Sequence, residues 1–428
     1  MRFVQIVLNI ERTMNYRILP PEEILETTVE LPLSKSISAR ELIISYVSGQ
    51  EKPAKLSASA DTCRLAEILD KGLCQKEINA GAGGTTFRFM AALLAATEGT
   101  DCLLCAEDRM SERPVAPLVD ALRCLGADIE YAGKEGCPPL RIKGRKLKGG
   151  ELETDASVSS QFVSALMMVV PLMEGGLHIK LLGEQGSVPY IKMTAAMMGA
   201  AGVDVETDPY NVWVKDMPYK VLPPMAEPDW SSAAFWYEIA AVTAGWVTLP
   251  GLKEKSLQGD SNEAILFERL GTLTEFGEEG AELSATPDLY SFLECHMADM
   301  PDAVPSLAVT AALVGVPFRM TGVSSLRHKE SDRLEALLAE LLKIGIVAEI
   351  ENYGDTLTWD GRRVPVNTLP VFDTYQDHRM AMSLAAVSVF IPGIIIKDSE
   401  VVEKSYPGFW SDLENAGFVL EAVEGLGE

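Results

Sequence analysis

Positive charge is scarce in this 428-residue chain, which has 37 Lys and Arg residues against 62 Asp and Glu residues. The net charge of −25 argues against a nucleic-acid partner, because nucleic-acid surfaces need an excess of cations. A site for a small anionic ligand would have to gather its cations locally. The position of each Lys and Arg is therefore informative.

Cysteine and histidine are also few. The seven cysteines are an odd number spread over a long chain, which argues against a disulfide framework and for a reducing compartment. The one C-x-x-C, from Cys102 to Cys105, lies in an apparent buried strand, where the two side chains point to opposite faces. None of the four histidines forms a pair at metal-ligand spacing, so we predict no metal site.

Long apolar runs are missing as well, and no run approaches the roughly 20 residues of a membrane span. The N-terminal apolar stretch is too short for a signal peptide, and Met14 is an alternative start to Met1. We expect a cytoplasmic protein without a membrane partner. Walker A, G-x-G-x-x-G and G-x-S-x-G motifs do not occur in the required context, which argues against P-loop, dinucleotide and hydrolase functions.

Polar residues open alanine-rich apolar stretches six times, a pattern typical of capped, buried helices. These openings are Ser36, Thr85, Ser159, Ser231, Asp302 and Asp377. Amphipathic helices that end at a glycine before a short strand recur along the chain together with these buried helices. The stop glycines are Gly126, Gly202, Gly345 and Gly417, with Gly72 and Gly277 as further candidates. The chain is thus predicted to hold about six α/β units.

Six units in a chain of this length predict two domains of three units each. The proline-rich stretch from Val221 to Trp230 is the best boundary. The segment before Leu31 cannot form a unit alone and is expected to pair with the C-terminal domain. The predicted domains are therefore residues 30–226 and residues 1–29 with 227–428.

The stretch LPLSKSISAR, from Leu31 to Arg40, predicts a turn into a helix N-terminus that carries Lys35 and Arg40. Free backbone N–H groups and the helix dipole would make this end an anion site, although a capped helix with solvated cations also explains the stretch alone. Arg88 and Arg379 lie in equivalent first turns, where a cation opposes the dipole at a cost of about 0.3 to 1 kcal/mol. Three such cations predict a bound anion.

Further cations lie in polar loops between the helices, namely Arg109, Arg113, Arg327, Lys329, Arg333 and Lys404. Arginine grips carboxylate and phosphate bidentately, so the set favours a ligand with more than one anionic group. The carboxylates beside these cations, Asp302 and Glu330, are candidates for proton transfer. Capping or ion pairing would explain either carboxylate equally well.

Nine motifs together resemble the 5-enolpyruvylshikimate-3-phosphate synthase family, in the same order, from about Leu31 to Trp410. They are LPLSKSISAR, GGTTFRF, RMSERP, SVSSQF, SVPY, MPDAVPSLA, RHKESDR, DHRMAM and EKSYPGF. The resemblance implies an α/β fold of two domains, each of three βαβαββ-like repeats in an inside-out α/β barrel, with helix N-termini facing the cleft. It also implies enolpyruvyl transfer from phosphoenolpyruvate to shikimate 3-phosphate, without metal or cofactor, by a monomer.

The resemblance assigns roles to individual residues. The implied shikimate 3-phosphate ligands are Lys35, Ser36, Arg40, Ser159, Ser160, Gln161, Ser187, Asp302, Ser325 and Lys329. The implied phosphoenolpyruvate ligands are Lys35, Gly84, Arg88, Arg113, Gln161, Arg333, Arg379 and Lys404. Asp302 is similar to the residue that takes the hydroxyl proton, and Glu330 to the one that protonates the methylene carbon, a task that Lys329 would share.

Two departures from the family are Ala82 and Ser325, where asparagine is frequent, and they put single hydrogen bonds in doubt. Gly84 leaves room at the smaller substrate, which implies sensitivity to glyphosate, the family's phosphoenolpyruvate-site inhibitor.

Two alternatives stay open at this stage. One is the UDP-N-acetylglucosamine enolpyruvyl transferase, which has Lys-Asn where this chain has Lys35-Ser36. The other is a catalytically inactive protein that binds phosphorylated sugar acids.

Overall fold

The computed structural model describes residues 14–155, 160–183 and 188–424. In these residues the chain forms helices and short strands in alternation. The helices are α1 (Lys35–Ser48), α2 (Ala60–Lys71), α3 (Gly84–Ala96), α4 (Ala116–Cys124), α5 (Ser160–Val169), α6 (Val188–Ala200), α7 (Trp230–Thr243), α8 (Glu263–Glu268), α9 (Val304–Val314), α10 (Arg333–Lys343), α11 (His378–Ala385) and α12 (Phe409–Asn415).

The strands are short, and most have only three to five residues. They are β1 (Asn15–Leu19), β2 (Glu26–Thr28), β3 (Glu77–Asn79), β4 (Asp101–Cys105), β5 (Asp128–Tyr131), β6 (Leu140–Lys143), β7 (Lys148–Asp155), β8 (Glu174–Leu182), β9 (Val205–Asp208), β10 (Asn211–Val214), β11 (Trp246–Pro250), β12 (Thr272–Phe276), β13 (Gly280–Ala285), β14 (Leu293–His296), β15 (Phe318–Thr321), β16 (Glu349–Glu351), β17 (Thr356–Trp359), β18 (Val371–Phe372), β19 (Ile394–Ile396) and β20 (Val419–Val423).

The described strands form four-stranded sheets that share one plan. Their strand orders are β3-β4-β6-β5, β7-β8-β10-β9, β2-β11-β13-β12, β14-β15-β17-β16 and β18-β19-β1-β20. In each sheet the first two strands are parallel, and the other two add in antiparallel fashion. In the sheets other than that of β2 and β11, an inner helix connects the parallel pair in the βαβ manner, because parallel neighbours need a crossover. Strands β2 and β11 are joined by the whole chain from α1 to α7.

The N-terminal segment completes two sheets of the C-terminal part of the chain. Strand β1 pairs antiparallel with β19 and β20, and β2 pairs parallel with β11. For the part of this segment that the structure describes, the strand pairs agree with the predicted pairing of the segment before Leu31. Of the six predicted units, the first has α1 and α2 but, among the described residues, only the isolated Leu33–Pro228 bridge in place of a sheet.

The buried apolar side chains form two separate clusters. One lies between Ile37 and Leu222, and the other combines residues from Ile18 to Leu31 with residues from Trp230 to Phe418. We call the parts of the chain that carry them the N-lobe and the C-lobe. The two connections run side by side, since Ser34 N–H donates to Glu227 O at 2.8 Å and Asp229 N–H to Pro32 O at 2.8 Å. The domain boundaries at residues 30 and 226 stay a prediction.

The inner helices are buried on almost every side, as their apolar sequences indicate. In α3 every residue except Thr85 is buried, whereas the outer helix α10 buries one face and exposes the other. Strand β4 buries Cys102 and leaves Cys105 partly exposed, and both thiols are free, so the interpretation of the C-x-x-C as strand is confirmed. No helix of the described residues is long and apolar enough to cross a membrane.

The predicted helix caps need correction. The capping positions of α1, α3 and α7 are Ser34, Gly83 and Asp229, and the predicted openings Ser36, Thr85 and Ser231 lie inside the first turns. The reason is that the helical hydrogen bonds begin earlier, with Ser38 N–H donating to Ser34 O at 2.9 Å and Phe87 N–H to Gly83 O at 3.0 Å. Asp302 lies in a 3-10 turn, Pro301–Ala303, just before α9. Asp377 caps α11 as predicted.

One predicted stop glycine is wrong. Gly277 lies in the hairpin between β12 and β13, where its N–H donates to Gly280 O at 2.8 Å. The glycine that follows α8 is Gly271, with a φ of 100°. The pattern failed here because α8 is short and weakly periodic, so the hairpin glycine resembled a helix stop. The other five predicted glycines have φ values of 76° to 97° and are confirmed.

Gly149 and Gly199 differ in the space around them, and this difference provides a matched test of the fold. A Cβ at Gly149 would lie 2.2 Å from Gly176 O and 2.5 Å from Gly175 O, whereas a Cβ at Gly199 in α6 would meet nothing within 4 Å. Backbone atoms cannot move aside cheaply, so we expect Gly149→Ala to lower the free energy of unfolding by about 1 to 3 kcal/mol. Gly199→Ala should raise it by about 0.5 to 1 kcal/mol. Urea unfolding measures both, and equal effects would contradict the packing of β7 on β8.

Candidate active site

An open cleft lies between the two lobes. The N-lobe contributes Lys35, Ser36, Asp61, Gly84, Thr85, Arg88, Arg113, Pro114, Gln161 and Tyr190 to its wall. The C-lobe contributes Asp229, Ser231, Asp302, Ser325, His328, Lys329, Glu330, Arg333, His378, Arg379 and Ser405. Six of these side chains are Lys or Arg and four are Asp or Glu. The cavity is therefore cation-rich in a protein whose net charge is −25.

The inner helices direct their N-termini at this cavity. The first turns of α1, α3, α5, α7 and α11, and the 3-10 turn before α9, each supply wall residues. Helices α1 and α3 have no side-chain cap, so the N–H groups of their first turns are available to a ligand. Such helix ends attract anions because the N–H groups and the helix dipole act together.

Arg333 is the centre of the C-lobe wall and is only 1% exposed. Its guanidinium donates to Asp302 Oδ1 at 2.7 Å, to Glu330 Oε2 at 2.9 Å and to Asp377 Oδ2 at 2.7 Å. A buried guanidinium needs such partners, since an unpaired buried charge is strongly destabilising. These three carboxylates raise the pKa of Arg333 further above its usual range despite its burial. Arg333 thereby joins the starts of three C-lobe helices.

Asp302 is held by three cations. Arg379 Nη2 lies 3.2 Å from Asp302 Oδ2, and Lys329 Nζ lies 3.3 Å from Oδ1, which Arg333 also contacts. Burial on its own would raise the pKa of this carboxyl, but Arg379, Lys329 and Arg333 outweigh burial and hold it well below its usual range. Asp302 is a carboxylate at neutral pH.

Glu330 is in a similar state. Its burial favours a higher pKa, but the charges of Arg333, Arg113 and Lys35 hold the pKa well below the usual range. Burial lowers the pKa of the neighbouring Lys329, and the charges of Arg333 and Arg113 add to that shift against the opposing effect of Asp302. The pKa of Lys329 is therefore shifted from its usual range toward neutrality.

The N-lobe wall carries cations with fewer counter-charges. Lys35 Nζ lies 3.2 Å from Asp61 Oδ2. Arg88 and Arg113, in contrast, form no ion pair with any of the described carboxylates. Burial and the nearby Arg113 charge hold the pKa of Arg88 well below its usual range. Both guanidinium groups lie over Gly84, where an added Cβ would be 2.5 Å from Arg88 Nη1 and 2.9 Å from Arg113 Nη1.

Arg40 lies behind the wall and is fully buried. Its guanidinium donates to Thr194 Oγ1 at 2.7 Å, to Ser36 O at 2.8 Å and to Ser164 Oγ at 3.1 Å. No carboxylate contacts it in the described part of the chain, and burial lowers the pKa of Arg40 to about 10. Arg40 therefore braces the first turn of α1 and leaves a buried positive charge under the cavity.

The structure brings most of the predicted ligands together. Those in the wall are Lys35, Ser36, Gly84, Arg88, Arg113, Gln161, Asp302, Ser325, Lys329, Glu330, Arg333 and Arg379. Two predicted ligands lie away from the wall. Arg40 is behind it, and Lys404 Nζ donates to Gln376 O at 3.1 Å. Ser159 and Ser187 lie outside the described residues, as does the side chain of Ser160.

Two further loop cations do not line the cavity. Arg109 Nε donates across the cleft to Lys329 O at 3.4 Å. Arg327 turns away and contacts Asp332 Oδ2 at 3.0 Å and Glu335 Oε1 at 3.4 Å. Arg327 is thus a structural residue in the described fold, which the sequence motif alone did not indicate.

Three residues of the site were missed in the sequence, two in the wall and one behind it. Asp61 opens the outer helix α2 and carries no local signal for its partner Lys35, 26 positions away. Asp260 contacts Ser231 Oγ from behind the wall, and burial, with the nearby Asp302 charge, raises its pKa to about 6. Tyr190 belongs to the SVPY motif, but nothing in that motif indicates its place in the wall. Only tertiary contacts identify all three.

Comparison with known proteins gives a consistent result. The family model of EPSP synthase (3-phosphoshikimate 1-carboxyvinyltransferase) matches residues 55–413. The 3-phosphoshikimate 1-carboxyvinyltransferase of Bacteroides fragilis is 44% identical over 414 residues, covering 96% of this chain and 100% of the relative. The enzyme of the same name from Haemophilus influenzae is 34% identical over 433 residues, covering 92% of this chain and 98% of the relative.

Solved structures agree on the fold. The EPSP synthase of Acinetobacter baumannii superposes with a TM-score of 0.73 over 96% of this chain and 100% of that chain. The two sequences are 21% identical, so this likeness concerns the fold alone. The predicted class, an α/β fold built from repeated βαβαββ-like units, is confirmed.

His378 makes the stability of the site depend on pH. It is 1% exposed, and burial with the charges of Lys35 and Arg379 holds its pKa well below the usual range. A histidine with a lowered folded pKa stabilises the fold above its unfolded pKa of about 6.5, and this stability is lost as the pH falls. We expect wild type to lose up to about 2 kcal/mol more than His378→Phe between pH 7 and pH 5.

Denaturant unfolding of both proteins at the two pH values measures this difference. Phe has a similar volume and no titratable group, so it separates protonation from packing. His178→Phe is the control, because His178 is only half-buried on the sheet of β8. Parallel pH dependence of His378→Phe and wild type would contradict a neutral buried imidazole.

Proposed function

Because this chain belongs to the EPSP synthase (3-phosphoshikimate 1-carboxyvinyltransferase) family, it transfers the enolpyruvyl group of phosphoenolpyruvate to the 5-hydroxyl of shikimate 3-phosphate, and we propose that it does so in the cleft between its lobes. The products are 5-enolpyruvylshikimate 3-phosphate and phosphate, in aromatic amino acid biosynthesis. The observation that supports this location best is the gathering of six cations around Asp302 and Glu330.

The phosphoenolpyruvate anion is proposed to bind between the unpaired N-lobe arginines and the C-lobe cations. Arg88 and Arg113 have no carboxylate partner to displace in the described residues, so a phosphate or carboxylate gains their charge at little cost. Gly84 lets the ligand approach the free N–H groups of α3. Arg333, Arg379 and Lys404 would contact it from the other lobe, with Lys35 and Gln161 touching both substrates.

Shikimate 3-phosphate is proposed to lie on the N-lobe wall. Ser36 is in the first turn of α1, and the buried Arg40 beneath it adds a positive charge that no described carboxylate neutralises. Ser159, Ser160 and Ser187 would contact the phosphate, although the structure does not describe their side chains. Asp302, Ser325 and Lys329 would face the ring from the C-lobe.

Asp302 is proposed as the base of the addition step. The 5-hydroxyl oxygen attacks C2 of phosphoenolpyruvate, its proton passes to Asp302, and the methylene carbon takes a proton from Glu330 with help from Lys329. In the elimination step the bond between C2 and the phosphate oxygen breaks, the new methyl group returns one proton to Glu330, and phosphate leaves with the hydroxyl proton that Asp302 had taken. Cations around the departing phosphate stabilise the charge that develops on it.

The low pKa values of Asp302 and Glu330 without ligand would make them poor proton carriers. Anionic substrates change this balance, because they share Arg333, Arg379 and Lys329 with the two carboxylates. Each cation that turns to the substrate stabilises the carboxylate less, so both pKa values rise toward the range useful for general acid–base catalysis. Substrate binding would thus activate the catalytic groups electrostatically.

Closure of the lobes is proposed to complete the site. Contacts across the cleft already exist, since Val188 N–H donates to Asp299 Oδ1 at 3.1 Å and Arg109 Nε to Lys329 O. An anion held by cations of both lobes would stabilise this closed arrangement. One chain supplies both walls, so we propose a monomer, working in the cytoplasm. No specific observation favours the UDP-N-acetylglucosamine enolpyruvyl transferase or an inactive binding protein.

Asp302→Asn tests the proposed base. The amide keeps the shape of the side chain but cannot accept the hydroxyl proton, so we expect kcat to fall by about 10² to 10⁴. Calorimetry should find shikimate 3-phosphate binding largely kept, which separates chemistry from folding. Asp288→Asn, an exposed carboxylate outside the wall, is the control. Turnover of Asp302→Asn at the wild-type rate would refute the assignment.

Gly84→Ala tests the phosphoenolpyruvate side. The added Cβ would displace Arg88 Nη1 and Arg113 Nη1, the ends of flexible side chains, so the fold survives but the anion grip moves. If the displaced guanidinium groups weaken the binding of phosphoenolpyruvate by about 1.4 kcal/mol, its KM rises about tenfold. Glyphosate should inhibit wild type at millimolar concentration and inhibit the variant less. Gly199→Ala is the matched control, and unchanged inhibition of Gly84→Ala would contradict the assignment.

A further inference from the structure

The turn that leads into α11 is strained. Residues 374–377 form a tight turn closed by Asp377 N–H donating to Thr374 O at 2.9 Å. Both central residues are left-handed, with φ values of 55° at Tyr375 and 56° at Gln376. Turns of this kind favour Gly, Asn and Asp, because a side chain disfavours positive φ. Strain of this size persists only where surrounding contacts hold it.

Those contacts come from two points on α10. At one end Glu340, whose side chain is fully buried, accepts a hydrogen bond from Tyr375 Oη at 2.7 Å and from Asp373 N–H at 3.1 Å. At the other end Asp377 accepts from Arg333 Nε at 2.7 Å. Glu340 lies seven residues after Arg333, about 10 Å along the helix at 1.5 Å per residue. The strained turn is therefore fixed to one rigid helix on both sides.

The turn also fixes groups of the cleft. Gln376 O accepts a hydrogen bond from Lys404 Nζ at 3.1 Å, and Asp377 is followed directly by His378 and Arg379 in the wall. A relaxed turn would move the carbonyl that holds Lys404 and rotate the start of α11. Arg379 would then lose its contact with Asp302 Oδ2.

We propose that Tyr375 is a positioning residue for the phosphoenolpyruvate half of the site, acting through its hydrogen bond to Glu340. The bond keeps the turn left-handed and so sets the positions of Lys404 and Arg379. This inference rests on the proposed function, because it takes Lys404 and Arg379 as contacts of the anion. Tyr375 itself is not among the residues that line the cavity.

Tyr375→Phe removes only the hydroxyl and tests the proposal. A lost hydrogen bond to a charged group predicts an increase of about tenfold in the KM for phosphoenolpyruvate. The KM for shikimate 3-phosphate should change little, because Ser36 and Arg40 lie in the other lobe. A purely structural role would lower the thermal midpoint without this split between the two substrates, and that result would overturn the proposal.

Gln376→Gly in the Tyr375→Phe background provides the rescue. Glycine adopts positive φ without strain, so the turn should hold without the anchor and the KM for phosphoenolpyruvate should return toward wild type. Failure of the rescue would overturn the role of strain. Tyr353→Phe is the matched control, since Tyr353 also lies in a left-handed pair, with φ 58°, but its side chain is fully exposed.

A third variant separates this inference from the proposed function. Arg379→Gln should raise the KM for phosphoenolpyruvate if the anion binds where we propose. If Arg379→Gln has no effect, the site assignment fails and this inference fails with it. If Arg379→Gln has the expected effect while Tyr375→Phe behaves as wild type, the site assignment survives and Tyr375 has no positioning role.

Discussion

The ion pairs of Arg333 are the interaction on which the cleft depends. A guanidinium that is 1% exposed is tolerated because Asp302, Glu330 and Asp377 surround it, and removal of one partner from such a buried network is typically destabilising by about 3 to 5 kcal/mol. The three carboxylates come from the starts of α9, α10 and α11 or from the turns before them. One side chain thus holds in register three helix ends that face the ligand.

The two walls of the cleft are electrostatically unequal, and this inequality suits the reaction. In the C-lobe each cation of the wall has a carboxylate partner, whereas Arg88, Arg113 and the buried Arg40 of the N-lobe have none among the described residues. The unpaired cations favour anion binding. The ion-paired carboxylates, which are the acid–base groups, stay ionised and are therefore poor proton carriers. A substrate that carries two anionic groups can contact the cations of both walls at the same time.

Local signals in the sequence were sufficient for the repeats and most of the site. Helix starts to within two residues, glycine stops and the first-turn cations Lys35, Arg88 and Arg379 depend on neighbouring residues, so they could be predicted. Asp61 and the Tyr375–Glu340 pair could not, because their partners are 26 and 35 positions away and carry no motif of their own. Gly277 was misassigned because a hairpin and a helix stop both favour glycine.

Residues at this site oppose the stability of the fold in three ways. Like charges lie close together around Gly84, His378 is buried without a charge, and the turn at Tyr375 and Gln376 is left-handed. Each of these features opposes stability, and each lies where an anion or its neighbours would be. Residues near a functional site often depart from the most stable choice. The close cations and the uncapped N–H groups of α1 and α3 both face the cleft, so a negatively charged ligand would offset the charge repulsion that they create.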